Sequence, residues 1–383
     1  MQTSSLFYNL HIIHIFGFVI ALLISFILTP LVRSRAVKLN VLDRPSARRI
    51  HKDAVPRLGG VSIYLSFFLT ILILQLPFFD IQLIKLVGFP FTGIIAGGAI
   101  IFFLGLFDDI EPLSPKIKLF MQILAASVAW YLGIKISSVV NPFFHSDFFL
   151  FEFSVGEKVV NLSPLVSYLI TVIWLVVITN AINLIDGMDG LATGVSLISA
   201  TGIWALALDQ RFDQPLGALV AAILAGGLLG FLRWNFNPAR IFLGDSGAYL
   251  TGFLLASLTV TSVTKKVTLA IMTPILILLF IVPIVDTLFA VIRRLLKGRS
   301  ILEPDKEHLH HRILAFGLSQ KIASYLLYSV SALFGLWATY LVSVQSFLRF
   351  LVLIGCLAAV ILFYACVINW KHQKIFKKLF LKH

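Results

Sequence analysis

The chain has 383 residues, of which 59% are hydrophobic and only 13% are charged. This composition excludes a soluble globular domain and is typical of a protein that crosses a membrane several times. A net charge of +13 also fits a nucleic-acid-binding protein, but the basic residues lie between apolar runs, where Lys and Arg set membrane topology. We therefore expect membrane lipids as partners and no nucleic acid.

Apolar runs long enough, or nearly so, to cross a bilayer as helices follow one another along the chain. They cover Leu10–Leu31, Leu58–Leu76, Leu86–Phe107, Ile117–Ile134, Leu165–Ile182, Leu191–Leu208, Leu216–Leu232, Ala248–Val263, Thr268–Ile292, Ile322–Val344 and Phe347–Asn369. The sequence therefore predicts an all-α polytopic membrane protein with about 11 transmembrane helices, formed by residues 1–383 as a single domain.

The distribution of Lys and Arg predicts the orientation of these helices. If the amino terminus lies outside, 24 of the 31 basic residues fall in inner segments and 7 in outer ones. The positive-inside rule then places the carboxyl terminus inside. One outer segment, Phe149–Leu162, alternates apolar and polar residues around Gly156-Glu157, which predicts a small outer-face β-hairpin.

Most of the polar motifs fall on the predicted inner side. They are Asp108-Asp109 after the third helix, Asn183 to Asp189 after the fifth, Asn235 to Gly247 between the seventh and eighth, and His308 to Arg312 after the ninth. Carboxylates at a membrane boundary need a cation, water or a ligand, and hard oxygen ligands suit Mg²⁺ rather than zinc. A polar turn or a helix cap explains any single motif, but their convergence on one face favours a binding site.

Two further patterns concern this inner side. The fourth, sixth and eighth helices begin there, at Ser114-Pro115, at Gly190 and near Gly247, so their positive dipole ends favour phosphates. Asn183, Asp186 and Asp189 are spaced by three and share one face if their segment is helical. Asp286 lies inside a predicted span, where an acid is functional by default; we favour a structural role beside Pro283.

Five motifs in order resemble those of the polyprenyl-phosphate N-acetylhexosamine-1-phosphate transferases, the MraY/WecA family of integral membrane enzymes. They are Pro56-Arg57-Leu58-Gly59-Gly60, Leu106-Phe107-Asp108-Asp109, Asn180-x-x-Asn183-x-x-Asp186-x-x-Asp189, Phe242-Leu-Gly-Asp245-Ser-Gly and His308-Leu-His310-His311-Arg312. The resemblance covers nearly the whole chain and is greatest to members that use UDP-N-acetylglucosamine and undecaprenyl phosphate.

The resemblance implies transfer of a sugar 1-phosphate from a UDP-sugar donor to undecaprenyl phosphate at the cytoplasmic face of the bacterial inner membrane, with release of UMP. The lipid-linked product would start a cell-envelope polysaccharide such as a lipopolysaccharide O-antigen or a teichoic acid. The implied cofactor is Mg²⁺. Mn²⁺ in its place, and assembly as a homodimer, remain open.

The resemblance also implies roles for individual residues. Asn183 and Asp245 would bind the metal. The implied catalytic residues are Asp108, Asp109, Asp186 and Lys118, and the implied nucleotide- and sugar-binding residues are Asp189, Phe242, His308, His310, His311 and Arg312. Arg44 and Arg57 would line the approach of the lipid phosphate. The His-x-His-His spacing implies UDP-N-acetylglucosamine rather than the muramoyl pentapeptide donor, whose users carry three consecutive histidines. An epimeric or deoxy N-acetyl sugar stays open.

Two other interpretations were considered from the residues alone. A zinc site is an alternative for the His308–Arg312 segment, although no Cys accompanies it. A transporter would place acids at the membrane midplane together with an internal repeat. Only Asp286 lies at such a depth, and no convincing repeat is visible, so the enzyme interpretation is preferred.

Overall fold

The computed structural model describes residues 2–43, 54–76, 90–140, 144–146, 153–154, 159–209, 212, 214–263, 277–296, 298, 309–315, 317–341 and 355. Three predicted features lie outside these residues: Arg44, His308 and, apart from Gly355, the last predicted helix, Phe347–Asn369. The side chains of His310 and His311 also lie outside the described part of the chain.

The described residues are predominantly helical. The α-helices are α1 (Gln2–Lys38), α2 (Gly59–Leu74), α3 (Phe91–Ile110), α4 (Pro115–Tyr131), α5 (Pro164–Ile185), α6 (Leu191–Leu208), α7 (Pro215–Asn235), α8 (Gly244–Leu258), α9 (Ile281–Leu296), α10 (Leu309–Ala315) and α11 (Gln320–Leu341). A π-helical turn, Thr259–Val263, continues α8. The all-α fold class is thus confirmed.

Local sequence explains where several helices begin. The hydroxyl of Ser114 accepts the N–H of Ile117, and the next residue is proline, so α4 starts where the sequence predicts. The pair Ser163-Pro164 starts α5 in the same way. Gly190, at φ +73°, precedes α6 as predicted. Helix α8 begins at Gly244, three residues before the predicted Gly247.

Six helices in the described residues are long and apolar enough to cross a membrane. They are Ile12–Lys38 within α1, then α3, α5, α6, α7 and Gln320–Tyr340 within α11. Helices α2, α4, α8 and α9 have 15 to 17 residues each, fewer than the 18 or so that a straight span usually needs. A membrane protein is therefore confirmed, whereas the number eleven and the orientation stay predictions.

Helix α8 lies at the centre of the described bundle, in contact with α2, α3, α5 and α6. All its residues are buried except Asp245. Small residues permit this, since a Cβ on Gly105 of α3 would lie 2.4 Å from the Cα of Ser246. Close backbone approach at small residues stabilises helix packing in lipid, where the hydrophobic effect between helices is absent. The amino end of α8 is thereby fixed among its neighbours.

Short antiparallel strands complete the described structure. Strand β1 (Leu42–Asp43) pairs with β2 (Val55–Pro56). Between α4 and α5, β3 (Ser138–Val140) pairs with β6 (Val159–Asn161), and β4 (Phe144–Ser146) pairs with β5 (Phe153–Ser154).

This pairing corrects the hairpin predicted within Phe149–Leu162. The two predicted strands, β5 and β6, pair with earlier strands and not with each other. Alternation in a sequence marks a strand but does not identify its partner. Gly156 and Glu157 themselves lie outside the described residues.

Candidate active site

The predicted polar motifs meet at one end of the bundle. Helices α3 and α5 end there, and α2, α4 and α8 begin there, so side chains far apart in sequence come into contact. Asn183 at the end of α5, for example, donates from Nδ2 to Oδ1 of Asp245, the second residue of α8, at 2.8 Å. The predicted convergence of the acidic motifs is confirmed.

Asp109, at the end of α3, binds the first turn of α8. Its Oδ1 accepts the backbone N–H of Asp245 at 2.8 Å, and its Oδ2 accepts the backbone N–H of Ser246 at 3.0 Å and the Ser246 hydroxyl at 2.6 Å. The Asp109 side chain is completely buried. The positive end of α8, which was predicted to favour phosphates, is therefore occupied by a carboxylate of the protein.

Asp108 faces a different partner. Its Oδ2 forms an ion pair with Nζ of Lys118, in the first turn of α4, and its Oδ1 accepts the backbone N–H of Leu113 at 2.8 Å. The Asp108 side chain is buried, whereas a quarter of the Lys118 side chain is exposed. The ammonium group of Lys118 is thus held by Asp108 and remains accessible from outside the bundle.

The same oxygen of Asp245, Oδ2, lies close to two cations. Nη2 of Arg57 is 3.7 Å away and Nζ of Lys118 is 3.9 Å away. Arg57 also lies 3.6 Å from Asp109 Oδ1 and 3.7 Å from Asp43 Oδ1. Arg57, predicted to line the approach of a lipid phosphate, is therefore part of the carboxylate cluster itself.

Asp186 ends α5 instead of continuing it, since the helix stops at Ile185. The helical alignment of Asn183, Asp186 and Asp189 is consequently absent, because Asp189 lies beyond the end of α5. Burial, with a further contribution from the charge of Asp245, raises the pKa of Asp186 to about 8. The raised pKa of Asp186 therefore reflects its burial first and the neighbouring carboxylates second.

The charge balance and the ligand chemistry of this cluster suit a divalent cation. In the described part of the chain, five carboxylates surround two cationic side chains, Arg57 and Lys118; they are those of Asp43, Asp108, Asp109, Asp186 and Asp245. No set of three or more Asp, Glu, His or Cys residues there is placed to hold a metal ion. Mg²⁺ does not require one, because it is usually held by one or two carboxylates, with water and substrate phosphates as its other ligands.

Two of the five sequence motifs join through their backbones. The N–H groups of Gly59 and Gly60 donate to the carbonyl oxygens of Phe242 and Leu243, and the N–H of Phe242 donates to the carbonyl of Pro56. Glycine is required at position 60 because a Cβ there would lie 2.2 Å from the backbone nitrogen of Gly247. This contact places Arg57 beside the start of α8. The Phe242 side chain is half-buried.

Asp189 organises the loop between α7 and α8. Its Oδ2 accepts the Asn237 side-chain amide at 2.9 Å and the backbone N–H of Ala239 at 3.0 Å. The Asn237 amide also donates to Oε1 of Gln320, at the start of α11. Helix α11 packs against α6, and its Tyr328 hydroxyl donates to the carbonyl of Gly190 at 2.6 Å. Asp189 thus lies where α6, α11 and this loop meet.

Several residues support the site although the sequence predicted no role for them. Asn180 and Gln122 exchange amide hydrogen bonds between α5 and α4, at 2.7 and 3.3 Å. Buried Asn235 accepts from the Thr193 hydroxyl and donates to the carbonyl of Ile241. An isolated polar residue in an apolar helix, such as Gln122, was the available signal, since a buried amide requires a partner.

The segment that carries the histidines is fixed through Asp286. The buried Asp286 in α9 accepts the backbone N–H of Leu309, the first residue of α10, at 2.7 Å. This contact agrees with the structural role favoured for Asp286. Arg312, in the same helix, is half-buried.

Comparison with known proteins places these features in a family. Residues 91–263 match the family described as glycosyl transferase family 4. The chain is 36% identical over 338 residues to a probable undecaprenyl-phosphate N-acetylglucosaminyl 1-phosphate transferase of Bacillus subtilis, covering 88% of this chain and 87% of the relative.

Two further relatives match over similar lengths. A decaprenyl-phosphate N-acetylglucosaminephosphotransferase of Mycolicibacterium smegmatis is 34% identical, covering 80% of this chain and 77% of the relative. An undecaprenyl-phosphate alpha-N-acetylglucosaminyl 1-phosphate transferase of Thermotoga maritima is 33% identical, covering 91% and 96%. The chain therefore belongs to glycosyl transferase family 4, and the resemblance to the polyprenyl-phosphate N-acetylhexosamine-1-phosphate transferases is confirmed.

Proposed function

We propose that this protein transfers N-acetylglucosamine 1-phosphate from UDP-N-acetylglucosamine to a polyprenyl phosphate and releases UMP. One observation carries the proposal: carboxylates and cations from distant motifs meet at the amino end of α8. The names of the three relatives support the same donor sugar and the same class of acceptor.

The reaction needs charge compensation more than covalent help from the protein. An oxygen of the acceptor phosphate attacks the phosphorus that bears the sugar. The bond from that phosphorus to the bridging oxygen breaks, and its electron pair leaves on UMP. Attack of one anion on another is opposed by repulsion, so positioned cations are the main catalytic contribution.

The cations of this chain are placed for that task. Lys118 is held by Asp108 and partly exposed, so it binds the acceptor phosphate in this proposal. Asp108 orients Lys118 and takes the proton of an acceptor that arrives as a monoanion. Arg57, near Asp245, then faces the donor pyrophosphate.

Asp245 and Asn183 would hold Mg²⁺, with Asp186 as the neighbouring carboxylate. Asp245 and Asn183 are in contact and half-buried, and their oxygens are of the type that Mg²⁺ prefers. When bound, the ion neutralises charge on the donor pyrophosphate. Mn²⁺ is expected to replace Mg²⁺ because it accepts similar ligands.

Donor recognition is assigned to the loop beside Asp189 and to α10. Asp189 and Phe242 would bind the uracil, and Arg312 with His308, His310 and His311 would bind sugar and phosphate. Asp189 has Oδ2 engaged with Asn237 and Ala239, so we assign its other oxygen, Oδ1, to the base. Arg44 would line the approach of the lipid phosphate.

A direct transfer assay tests the proposed reaction. Purified protein in detergent with Mg²⁺ should move ³²P from β-labelled UDP-N-acetylglucosamine into undecaprenyl phosphate. The UDP-muramoyl pentapeptide donor and UDP-glucose should compete poorly. Turnover of the pentapeptide donor, or equal use of UDP-glucose, would contradict the donor assignment, and no lipid-linked label from any donor would contradict the reaction.

The proposed membrane arrangement has its own test. We propose about 11 spans with the amino terminus outside, the carboxyl terminus inside and the site facing the cytoplasm of the bacterial inner membrane. A cysteine at Gln2 should react with an impermeant maleimide in spheroplasts, and one at Lys382 should react only after permeabilisation. The reverse pattern would place the site on the wrong side for a nucleotide donor.

A further inference from the structure

We propose that Asp109 is a positioning residue whose carboxylate caps α8 and so fixes Asp245, and that it does not itself contact substrate or metal. The inference rests on the proposed function only in taking Asp245 as a metal ligand. It assigns the two adjacent carboxylates, Asp108 and Asp109, to separate tasks.

The first support is that α8 has no cap of its own. The residue before it is Leu243, whose side chain cannot accept a hydrogen bond. The first N–H groups of a helix have no partner within that helix, and leaving such groups unpaired in a buried place is costly. Asp109 accepts two of them, from Asp245 and Ser246, although it lies 136 residues earlier in the chain.

The second support is that both oxygens of Asp109 are fully engaged. A carboxylate has about four acceptor positions. At Asp109 these face the Asp245 N–H and the Arg57 guanidinium on Oδ1, and the N–H and hydroxyl of Ser246 on Oδ2. With a side chain that has no exposed surface, Asp109 has no free oxygen to offer a substrate phosphate or a metal.

The third support is steric. Gly244 has φ +73°, and a Cβ there would lie 2.1 Å from the carbonyl oxygen of Arg57 and 2.6 Å from Asp109 Oδ2. The Asp109 carboxylate therefore packs directly against the backbone at Gly244, where α8 begins. Movement of the Asp109 carboxylate would shift Asp245 relative to Asn183, with which it shares a 2.8 Å hydrogen bond.

These contacts predict how substitutions at position 109 should rank. Asn keeps one of the two acceptor oxygens of Asp109, whereas Ala provides no acceptor. Residues that orient a metal ligand typically change metal affinity or activity by about 10- to 100-fold when they are replaced. Asp109→Asn should therefore lose less function than Asp109→Ala, whereas loss of a base or a metal ligand would reduce function equally in both variants.

The experiment compares Asp109→Asn, Asp109→Ala, Ser246→Ala and the double variant Asp109→Ala/Ser246→Ala in the full-length protein. Binding of Mn²⁺ is measured by the electron paramagnetic resonance of the free ion, kcat and KM by the transfer assay, and stability by thermal unfolding. Ser62→Ala is the control, because it removes a buried hydroxyl that bonds only within α2.

We expect Asp109→Ala to weaken Mn²⁺ binding by about 100-fold and Asp109→Asn by about tenfold or less. Both should lower kcat and leave KM for the acceptor unchanged, whereas Asp108→Asn should raise that KM. Adding Ser246→Ala to Asp109→Ala should cost little more, since the hydroxyl bonds to Asp109. Equal, near-complete loss in the Asn and Ala variants, or strictly additive losses in the double variant, would overturn the proposal.

Failure of the proposed metal site would look different. If the wild type bound no Mn²⁺, the assignment of Asp245 would be wrong, and the thermal unfolding series would still test the cap. In that series the melting temperature of Asp109→Asn should lie between those of the wild type and Asp109→Ala. The losses caused by Asp109→Ala and Ser246→Ala should not add in the double variant. If the Ala variant does not fold, Ser246→Ala alone should still weaken Mn²⁺ binding about threefold; Mn²⁺ affinity equal to that of Ser62→Ala would refute the cap.

Discussion

Removal of the Lys118 charge should weaken binding of the acceptor by a calculable amount. Besides Asp108, the carboxylate oxygen nearest to Nζ of Lys118 is Oδ2 of Asp245, at 3.9 Å. We take this distance as the separation between Nζ and an oxygen of the bound phosphate. At an effective dielectric constant of about 20, a unit charge at this distance contributes about 4 kcal/mol. The Lys118 side chain is 25% exposed, so water screens part of this, and we take about 2 kcal/mol as the net contribution to a bound phosphate.

Lys118→Gln should consequently raise KM for polyprenyl phosphate about 30-fold, since 1.4 kcal/mol corresponds to a factor of ten. Lys118→Arg should retain most of the affinity because it keeps the charge. The transfer assay with varied acceptor and saturating UDP-N-acetylglucosamine measures both.

Lys116→Gln is the matched control for this prediction. Lys116 lies two residues earlier in the same first turn of α4 and is exposed, so its loss changes the net charge equally and should alter KM less than twofold. Equal effects of the two Gln variants would mean that only the general positive charge of this face matters, and the reasoning from the Asp108–Lys118 pair would be refuted.

The remaining predictions concern the metal ligands, the pH dependence and one glycine. Asp245→Asn and Asn183→Ala should each lower kcat by about 10²-fold or more without loss of folding; near-normal turnover of Asp245→Asn at saturating Mg²⁺ would contradict its role. Asp186 keeps a proton in the fold up to a pH of about 8, whereas an unfolded Asp loses it near pH 4. Between these values the folded state binds more protons, so the melting temperature in EDTA should fall as the pH rises from about 4 to about 8. Asp186→Asn should flatten that decline, and an unchanged slope would show that another group is responsible. Gly60→Ala should prevent correct folding because its Cβ would lie 2.2 Å from the Gly247 nitrogen, whereas Gly98→Ala, with its nearest neighbour at 3.6 Å, should be tolerated; a folded, active Gly60→Ala protein would argue against the observed contact between α2 and α8.

The sequence predicted which side chains meet at the site, because topology constrains them strongly. Helices that cross a membrane alternate in direction. Two predicted helices separate Asp108 from Asn183, and two more separate Asn183 from Asp245, so all three residues were predicted at the same end of the bundle. Four of the five motifs that carry the family resemblance contribute residues to these contacts.

What each side chain does there was beyond the sequence. Asp108 and Asp109 are adjacent, yet they point to α4 and to α8 respectively, and nothing in their spacing separates them. Likewise, the spacing of three residues between Asn183, Asp186 and Asp189 does not align their side chains on one helix face, because α5 ends at Ile185.

The pairing of the short strands and the contact between the supporting amides were not predicted, for a related reason. Strand β6 pairs with β3, whose residues lie 19 to 23 positions earlier in the chain, and the amides of Gln122 and Asn180 meet across 58 residues. Such pairings depend on tertiary packing, which a local pattern does not record.

The bond between Asp109 and Asp245 also has a consequence for the order of events during synthesis. At about 5–20 residues per second, the ribosome needs roughly 7 to 27 s to deliver the 136 residues that separate the two partners. Throughout that interval α3 ends in two adjacent carboxylates with no helix end to receive one of them. A nascent chain that stops within α7 therefore contains most of the bundle but lacks the element around which the acidic residues assemble. The carboxylate cluster is therefore completed late, when α8 joins helices that were synthesised before it.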